Sequence, residues 1–271
     1  MRTIAIANQK GGVGKSTTAI NLGAGLVQKG KTVLLIDCDP QGHATLGLGV
    51  ETKNIKTVAD LLIKDNISLE EVISHTEEKG FDIIPSDIGL SVAEMQLSTK
   101  GAKEFKLRNS LKGLKHYDFA IIDCPPTFGT ITMNAFTTAS EIILPVQLGY
   151  FSLEGVVSFV ETIDFINREI GSVVGHKVVI SGVLITFFDT RTTLAKNVFK
   201  ELKQVFGDKI FSTKIPQNVK LNEAQSFGKS IFQYEPTCRG AEAYIDLASE
   251  VLAQGNNEKL DKQNISVEHG K

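Results

Sequence analysis

The sequence predicts an α/β protein with a doubly wound, mostly parallel twisted sheet flanked by helices. Short apolar runs rich in β-branched residues alternate with longer segments of helical periodicity, which is typical of successive βαβ units. Most of these runs are continuously apolar, as expected when helices cover both faces of a parallel sheet. The glycine-rich stretch Lys10–Ser16 separates the first run from the first helical segment. These three observations together indicate the fold class.

The predicted strands follow the apolar runs, and the predicted helices fill the intervals between them. We expect strands at Thr3–Ala7, Val33–Ile36, Phe81–Ile84, Phe119–Ile122, Ile142–Pro145 and Val178–Ile185, with a weaker candidate at Ile210–Ile215. We expect helices at Ser16–Lys29, Thr57–Ile63, Leu90–Met95, Phe105–Leu114, Gly155–Ile170, Leu194–Phe206 and Arg239–Gln254. Residues 1–254 therefore form one predicted domain, and the polar residues 255–271 are expected to be a disordered tail.

Composition restricts the compartment and the kinds of site. Hydrophobic residues make up 42% of the 271 residues and charged residues 22%, which is ordinary for a soluble globular protein. Three widely separated cysteines, Cys38, Cys124 and Cys238, argue against a disulfide scaffold or a zinc site. No apolar stretch approaches the roughly 20 residues that span a bilayer, and the first residues do not resemble a secretion signal. We therefore expect a cytoplasmic protein without a membrane partner.

The charge is unevenly distributed along the chain. The formal net charge is −2, but Thr186–Gly240 contains nine Lys or Arg and five Asp or Glu, which leaves +4 there and −6 elsewhere. A basic region on a mildly acidic protein is a local electrostatic feature that can attract polyanions.

The glycine-rich stretch has the composition of a phosphate-binding loop between a strand and a helix, and it makes the predicted fold that of a P-loop NTPase. Its members are Lys10, Gly11, Gly12, Val13, Gly14, Lys15 and Ser16. Glycines allow consecutive backbone N–H groups to surround phosphates, and the helix N-terminus adds positive potential. We expect Lys15 to contact the β- and γ-phosphates of ATP, Ser16 to bind Mg²⁺ and Thr17 to contact the α-phosphate.

The loop departs from the usual P-loop pattern at its beginning. Gln9 stands at the position of the first glycine, and the additional cation Lys10 precedes the double glycine. One interpretation is that Lys10 acts across a dimer interface on the ATP of the partner, as an arginine finger does. The alternative is a solvated lysine.

Five segments carry a resemblance to a known family over nearly the whole chain, from about Met1 to Leu252. Lys10–Ser16 resembles the deviant Walker A motif of the ParA/MinD class of ATPases, and four further segments resemble motifs of its ParA/Soj branch: Asp37–Gly42, Asp118–Pro126, Val146–Gly155 and Pro216–Glu223. The resemblance implies an ATP-dependent sandwich dimer with slow intrinsic hydrolysis.

Matching positions imply further roles. Asp39 would orient the attacking water, and Asp123 would hold Mg²⁺ as the Walker B carboxylate. Asp37 would support the site, possible metal ligation included, or would cap a helix, and the sequence leaves these alternatives open. Pro216 and Asn218 match the loop that frames adenine, although a simple turn would have the same composition.

The resemblance also implies non-specific DNA binding. Arg191 and Lys220 match basic positions that contact DNA in the family, and three lysines share a face of a predicted helix: Lys196, Lys200 and Lys203. Arg239 could join them, since clustered cations suffice for sequence-independent binding. The alternative is an ordinary solvated helix face. Gln225 and Ser230 stand where the family commonly has prolines, which predicts a looser loop near the basic residues.

These features predict a nucleoid-associated switch that segregates chromosome or plasmid DNA and is stimulated by a ParB-like partner. A sibling that positions another cargo, such as a chemoreceptor cluster or an organelle, would have the same motifs. A MinD-like membrane ATPase is disfavoured because the tail carries only isolated apolar residues. Electron transfer through Cys38 and Cys124 is disfavoured because these thiols are expected to be packing residues.

Overall fold

The structure is a computed structural model that describes residues 1–149, 152–172, 175–189 and 193–268, without the side chains of Ser152, Leu194 and residues 256–268. Its strands are β1 (Arg2–Ile6), β2 (Val33–Asp37), β3 (Ser74–His75), β4 (Phe81–Ile84), β5 (Phe119–Asp123), β6 (Glu141–Gln147), β7 (Val179–Phe188) and β8 (Ile210–Pro216). They form a sheet of order β3-β4-β2-β5-β1-β6-β7-β8. Only β3 is antiparallel to its neighbour among these described strands. The predicted parallel sheet is confirmed.

The helices are α1 (Lys15–Gln28), α2 (His43–Gly47), α3 (Val58–Ile63), α4 (Gly89–Leu97), α5 (Lys106–Ser110), α6 (Thr130–Thr138), α7 (Ser152–Ile166), α8 (Thr193–Phe206), α9 (Val219–Ser226), α10 (Ile231–Tyr234) and α11 (Arg239–Glu268). Two 3₁₀ turns lie at Lys103–Phe105 and Gly207–Lys209, and a π-helical turn at Asn167–Gly171 follows α7. All seven predicted helices have counterparts, and the helices that the sequence did not predict are α2, α6, α9 and α10.

The two faces of the sheet pack against different sets of helices because consecutive strand residues point to opposite sides. Ile4 and Ile6 of β1 lie in a core with α1 and α11, whereas Ala5 and Ala7 lie in a core with α3, α4 and the helices up to α8. Both layers are buried, which explains the continuously apolar strands. The doubly wound prediction is confirmed.

The last helix extends further than the sequence predicted. The predicted end was Gln254, and α11 continues to Glu268. The segment Gly255–Glu268 contains no proline and includes the good helix formers Glu, Lys, Leu and Gln, so backbone propensity allows the helix to continue. The domain boundary at residues 254 and 255 stays a prediction.

Candidate nucleotide-binding site

The glycine-rich loop leads from β1 to α1 with a backbone that leaves room for a ligand. Gly12 and Gly14 have φ angles of 72° and 83°, in the left-handed region that favours glycine. A Cβ added at Gly11 or Gly12 would meet no atom within 4 Å. The first turn of α1 has neither a side-chain cap nor an acidic residue. Its free N–H groups therefore offer the positive end of a helix to an anion such as phosphate.

Lys15 is directed into the site rather than into solvent. Its side chain is buried, and Nζ donates a hydrogen bond to the Lys10 carbonyl at 3.2 Å. Burial lowers the pKa of this ammonium, while the nearby charges of Asp123 and Asp39 raise it. A desolvated cation near carboxylates is poised to bind a charged ligand group, as predicted for the phosphates of ATP.

The Lys10 backbone is fixed while its side chain is exposed. Its N–H donates to Asn8 Oδ1 at 2.9 Å, and Asn8 Nδ2 donates to the Pro145 carbonyl at 2.7 Å, which attaches the loop to β6. The Lys10 ammonium makes no hydrogen bond or ion pair with any residue that the structure describes. Its cation is therefore available to a group outside the chain.

Asp123 ends β5 as a fully buried carboxylate. Neither oxygen accepts a hydrogen bond within the described part of the chain. Burial, followed by the charge of Asp37 opposite it on β2, raises its pKa well above the ordinary value. The Ser16 hydroxyl, near but outside hydrogen-bond geometry, and Lys15 act in the opposite direction. A buried carboxylate without a partner is costly, and a bound Mg²⁺ would satisfy it, so the donor set of Asp123 and Ser16 fits this ion.

Asp37 is engaged by the protein itself. Its Oδ1 accepts the Asp39 N–H at 3.0 Å, and its Oδ2 accepts the Thr45 N–H at 2.9 Å and hydroxyl at 2.7 Å. Burial raises its pKa to about 6, against the bonds from Thr45. These bonds hold the first turn of α2 against the end of β2. They support the helix-cap interpretation, and a metal role for Asp37 stays a prediction.

The turn after β2 brings Asp39 back to the same site. Asp39 is buried, its Oδ1 accepts the Gln41 N–H at 2.9 Å, and its charge acts on both Lys15 and Asp123. Strand β2 ends at Asp37 and the chain turns there, so the position of Asp39 is set by this turn and not by strand alternation. Asp39 is thus placed beside the phosphate loop.

A cleft adjoins the loop where the adenine-framing residues were predicted. Pro216 and Asn218 line it together with Gly14 and Thr17. Asn218 also caps α9, since its Oδ1 accepts the Lys220 N–H at 2.9 Å. The sequence analysis missed six further lining residues, Thr186, Phe187, Ile215, Leu221, Asn222 and Tyr244. Two signals were available: Thr186 and Phe187 lie near the carboxyl end of β7, and Leu221 and Asn222 lie within the motif segment Pro216–Glu223.

The predicted DNA-contacting residues lie in different settings. Lys196, Lys200 and Lys203 are exposed on α8, which buries Ala195, Val198 and Leu202 on its other side. Arg239 is exposed at the start of α11, and Arg191 lies outside the described residues.

Lys220 is already paired. Its Nζ donates to Glu223 Oε2 at 2.8 Å and lies 5.8 Å from the centre of the Tyr234 ring. Glu223 raises the pKa of this ammonium. A DNA phosphate would have to compete with that carboxylate.

The sequence predicts that Cys38 and Cys124 are packing residues. Cys38 and Cys124 are fully buried free thiols, and the described residues contain no group of three or more His, Cys, Asp or Glu side chains placed to hold a metal ion. Their place in the apolar core agrees with a packing role.

The expected loosening of the loop at Gln225 and Ser230 is wrong, because both side chains are hydrogen-bonded. Gln225 donates to Thr17 Oγ1 at 2.9 Å, and Ser230 forms a capping box and donates to Glu78. No described helix is long and apolar enough to cross a membrane.

A parallel sheet carrying this loop, a buried lysine and a buried Mg²⁺-type carboxylate defines a P-loop ATPase. A family model described as an AAA domain (AAA_31) matches residues 1–174. The sporulation initiation inhibitor protein Soj of Bacillus subtilis is 44% identical over 255 residues, covering 94% of this chain and 99% of the relative. The chromosome partitioning protein ParA of Caulobacter vibrioides is 40% identical over 258 residues, covering 94% and 95%. The chain belongs to the Soj/ParA family of partitioning ATPases.

A solved structure with bound nucleotide has the same fold. It is cobyrinic acid a,c-diamide synthase from Mycobacterium smegmatis with an ATP analog and magnesium, which superposes with a TM-score of 0.80 at 31% identity and covers 94% of this chain and 96% of that one. The protein is accordingly an ATPase that uses ATP and Mg²⁺. Asp123 and Ser16 would hold Mg²⁺, which would supply positive charge to the phosphates.

Proposed function

We propose that this protein is an ATP-dependent dimerisation switch that binds DNA non-specifically and segregates chromosome or plasmid DNA. In this proposal a ParB-like partner stimulates hydrolysis, which separates the dimer and releases DNA. Relatives that are named chromosome partitioning proteins support a role in DNA segregation. The switch would work in the cytoplasm on the nucleoid.

The observation that carries the dimer is the exposed ammonium of Lys10 beside a phosphate loop that already contains Lys15. Two hydrogen bonds fix the Lys10 backbone, yet its side chain has no partner in the described part of the chain. A triphosphate bound by the loop and Lys15 leaves this second cation for the nucleotide of a facing copy. Two copies related by a two-fold axis would exchange Lys10 reciprocally, as an isologous interface requires.

The exposed lysines of α8 support the proposal of a DNA-binding surface on this protein. Lys196 and Lys200 are one helical turn apart, and Lys203 follows within the next turn, so they present one row of positive charge. Phosphate neutralisation by such a row releases counterions and needs no base contact. Dimerisation would double the number of cations facing one duplex, which links DNA affinity to ATP.

Fluorescence anisotropy with a labelled duplex of random sequence tests this proposal. Asp39→Ala, which should stop hydrolysis, keeps the ATP state populated, and titrations are made with ATP and with ADP over a salt series. We expect salt-sensitive binding with ATP alone, and a slope of log affinity against log salt that becomes shallower by about 0.9 for each phosphate contact removed. Lys196→Ala and Lys200→Ala are the test variants, and Lys112→Ala, an exposed lysine before β5, is the control. Equal binding with both nucleotides, or none, would refute the DNA switch.

A further inference from the structure

Helix α9 is joined to the first turn of α1 through one side chain. Gln225 Nε2 donates a hydrogen bond to Thr17 Oγ1 at 2.9 Å, across 208 positions of sequence. Thr17 lines the nucleotide cleft beside Gly14. Thr17 is therefore in direct contact with α9, the helix that also contributes Leu221 and Asn222 to the cleft.

The direction of this hydrogen bond determines what the Thr17 hydroxyl can do. A hydroxyl has one hydrogen to donate and can also accept. Because the Gln225 amide donates to the oxygen, the hydroxyl hydrogen is not used towards Gln225. It is left to point towards an acceptor in the cleft, and nucleotide phosphates carry only acceptor oxygens.

Packing keeps the Gln225 amide in place. The stem of Gln225 lies against Gly47 of α2, where an added Cβ would come within 3.4 Å of Gln225 Cγ and 2.7 Å of Ile20 Cδ1. Gly47 therefore leaves the space that the glutamine stem and Ile20 fill. The amide is held between α1 and α2, so its contact with Thr17 does not have to form when nucleotide binds.

We infer that Gln225 is a positioning residue that orients the Thr17 hydroxyl to donate a hydrogen bond to a phosphate of the bound nucleotide. The inference rests on the proposed contact between Thr17 and the α-phosphate. It adds a residue outside the phosphate loop that sets affinity for nucleoside di- and triphosphates. It also gives a physical link from the nucleotide to α9, which carries Lys220.

Isothermal titration calorimetry with Mg-ADP on four variants tests the inference. Gln225→Met keeps the length and packing of the stem but removes the donor, and we expect about fivefold weaker binding. In Gln225→Glu the ionised carboxylate can only accept hydrogen bonds. It would accept the hydrogen bond that the Thr17 hydroxyl otherwise donates to phosphate, and its charge would repel phosphate, so we expect affinity to fall by more than about tenfold. Thr17→Val should lose at least about tenfold, the cost of a bond to a charged group. Adding Gln225→Met to Thr17→Val should weaken Mg-ADP binding by less than a further factor of about two.

The controls separate orientation from structural damage. Gln204→Met makes the same change on an exposed helix position and should bind as the parent does. Thermal unfolding by circular dichroism should give Gln225→Met a melting temperature close to that of the parent.

Each contrary outcome has a distinct meaning. Parental affinity in Gln225→Met or Gln225→Glu overturns the role of Gln225. An equal loss from Gln225→Met with and without the Thr17 hydroxyl overturns it too, since the residue would then act through packing. Parental affinity in Thr17→Val overturns the proposed phosphate contact of Thr17 itself, whereas a loss there with none in Gln225→Met removes only Gln225.

Discussion

Replacing Asp123 by asparagine should make the nucleotide-free protein more stable while abolishing its use of Mg²⁺. The carboxylate is fully buried, and neither oxygen accepts a hydrogen bond in the described part of the chain. Its pKa is raised in the folded state, first by burial and then by Asp37. At pH values between the ordinary and the raised pKa, the folded protein therefore binds more protons than the unfolded chain. This makes the site costly whenever Mg²⁺ is absent.

The magnitude follows from proton linkage. Since the folded-state pKa is the higher one, stability falls as pH rises between the ordinary carboxyl value and the raised one, by about 1.4 kcal/mol per pH unit. Below about pH 4 the penalty is absent. The asparagine variant lacks this pH-dependent penalty because it has no carboxyl group at position 123. It buries an amide without partners instead, which costs about 1–3 kcal/mol. We expect the variant to be the more stable protein at pH 8, with a melting temperature higher by about 2–4 °C for each kcal/mol of net gain.

The assay is thermal unfolding of parent and Asp123→Asn in EDTA at a series of pH values from 4 to 8. The gap between the two melting temperatures should widen as pH rises. In a second buffer without EDTA, ADP should stabilise both proteins through the loop and Lys15, and Mg²⁺ should add further stabilisation only in the parent. Asp118→Asn is the matched control, because a hydrogen bond from the Thr32 N–H lowers the pKa of Asp118, so its loss should destabilise the protein at pH 8. A gap that is constant with pH, or an Asp123→Asn protein to which Mg²⁺ adds as much stabilisation in the presence of ADP as it adds to the parent, would contradict this expectation.

Four further substitutions test separate parts of the predicted nucleotide and DNA sites. Lys15→Ala should abolish nucleotide binding measured by calorimetry, because the loop loses its buried phosphate cation, and parental ATP affinity would disprove that role. Asp39→Ala should retain ATP but reduce phosphate release by at least about tenfold, and parental turnover would exclude Asp39 from catalysis. Arg191→Ala should weaken binding to all duplex sequences and make the salt slope shallower by about 0.9. Lys220→Ala should change that slope less, since Glu223 already neutralises Lys220, and an equal change would show that the ion pair opens on DNA.

The sequence was sufficient for the parts of the fold and site that depend on local pattern. The continuous apolar strands, the loop before α1 and the carboxylates at the ends of β2 and β5 all lie where the pattern indicated. Parallel strands bring their carboxyl ends to one edge, so Asp37 and Asp123 could be expected near the phosphate loop. The same motif identified Lys10 and Lys15 as candidate site residues, whereas the exposure of Lys10 and the burial of Lys15 are visible only in the folded chain.

The remaining parts depend on contacts between distant segments. The short helices α2 and α10 lack the length that gives a clear helical period, and α2 is held by the bonds of Asp37 to Thr45. The choice between a metal role and a cap for Asp37 depends on those bonds, which no spacing reveals. Gln225 was expected to loosen a loop because it stands where proline is common. Its bond to Thr17 joins residues 208 positions apart and becomes visible only in the folded chain.

The central claim, that ATP joins two copies through Lys10, is tested most directly by multi-angle light scattering. Asp39→Ala and the double variant Asp39→Ala/Lys10→Ala are measured with Mg-ATP and with Mg-ADP. We expect the mass of two chains for Asp39→Ala with ATP, the mass of one chain with ADP, and the mass of one chain for the double variant with either nucleotide. A double variant that binds ATP and still has the mass of two chains would contradict the role of Lys10 across the interface.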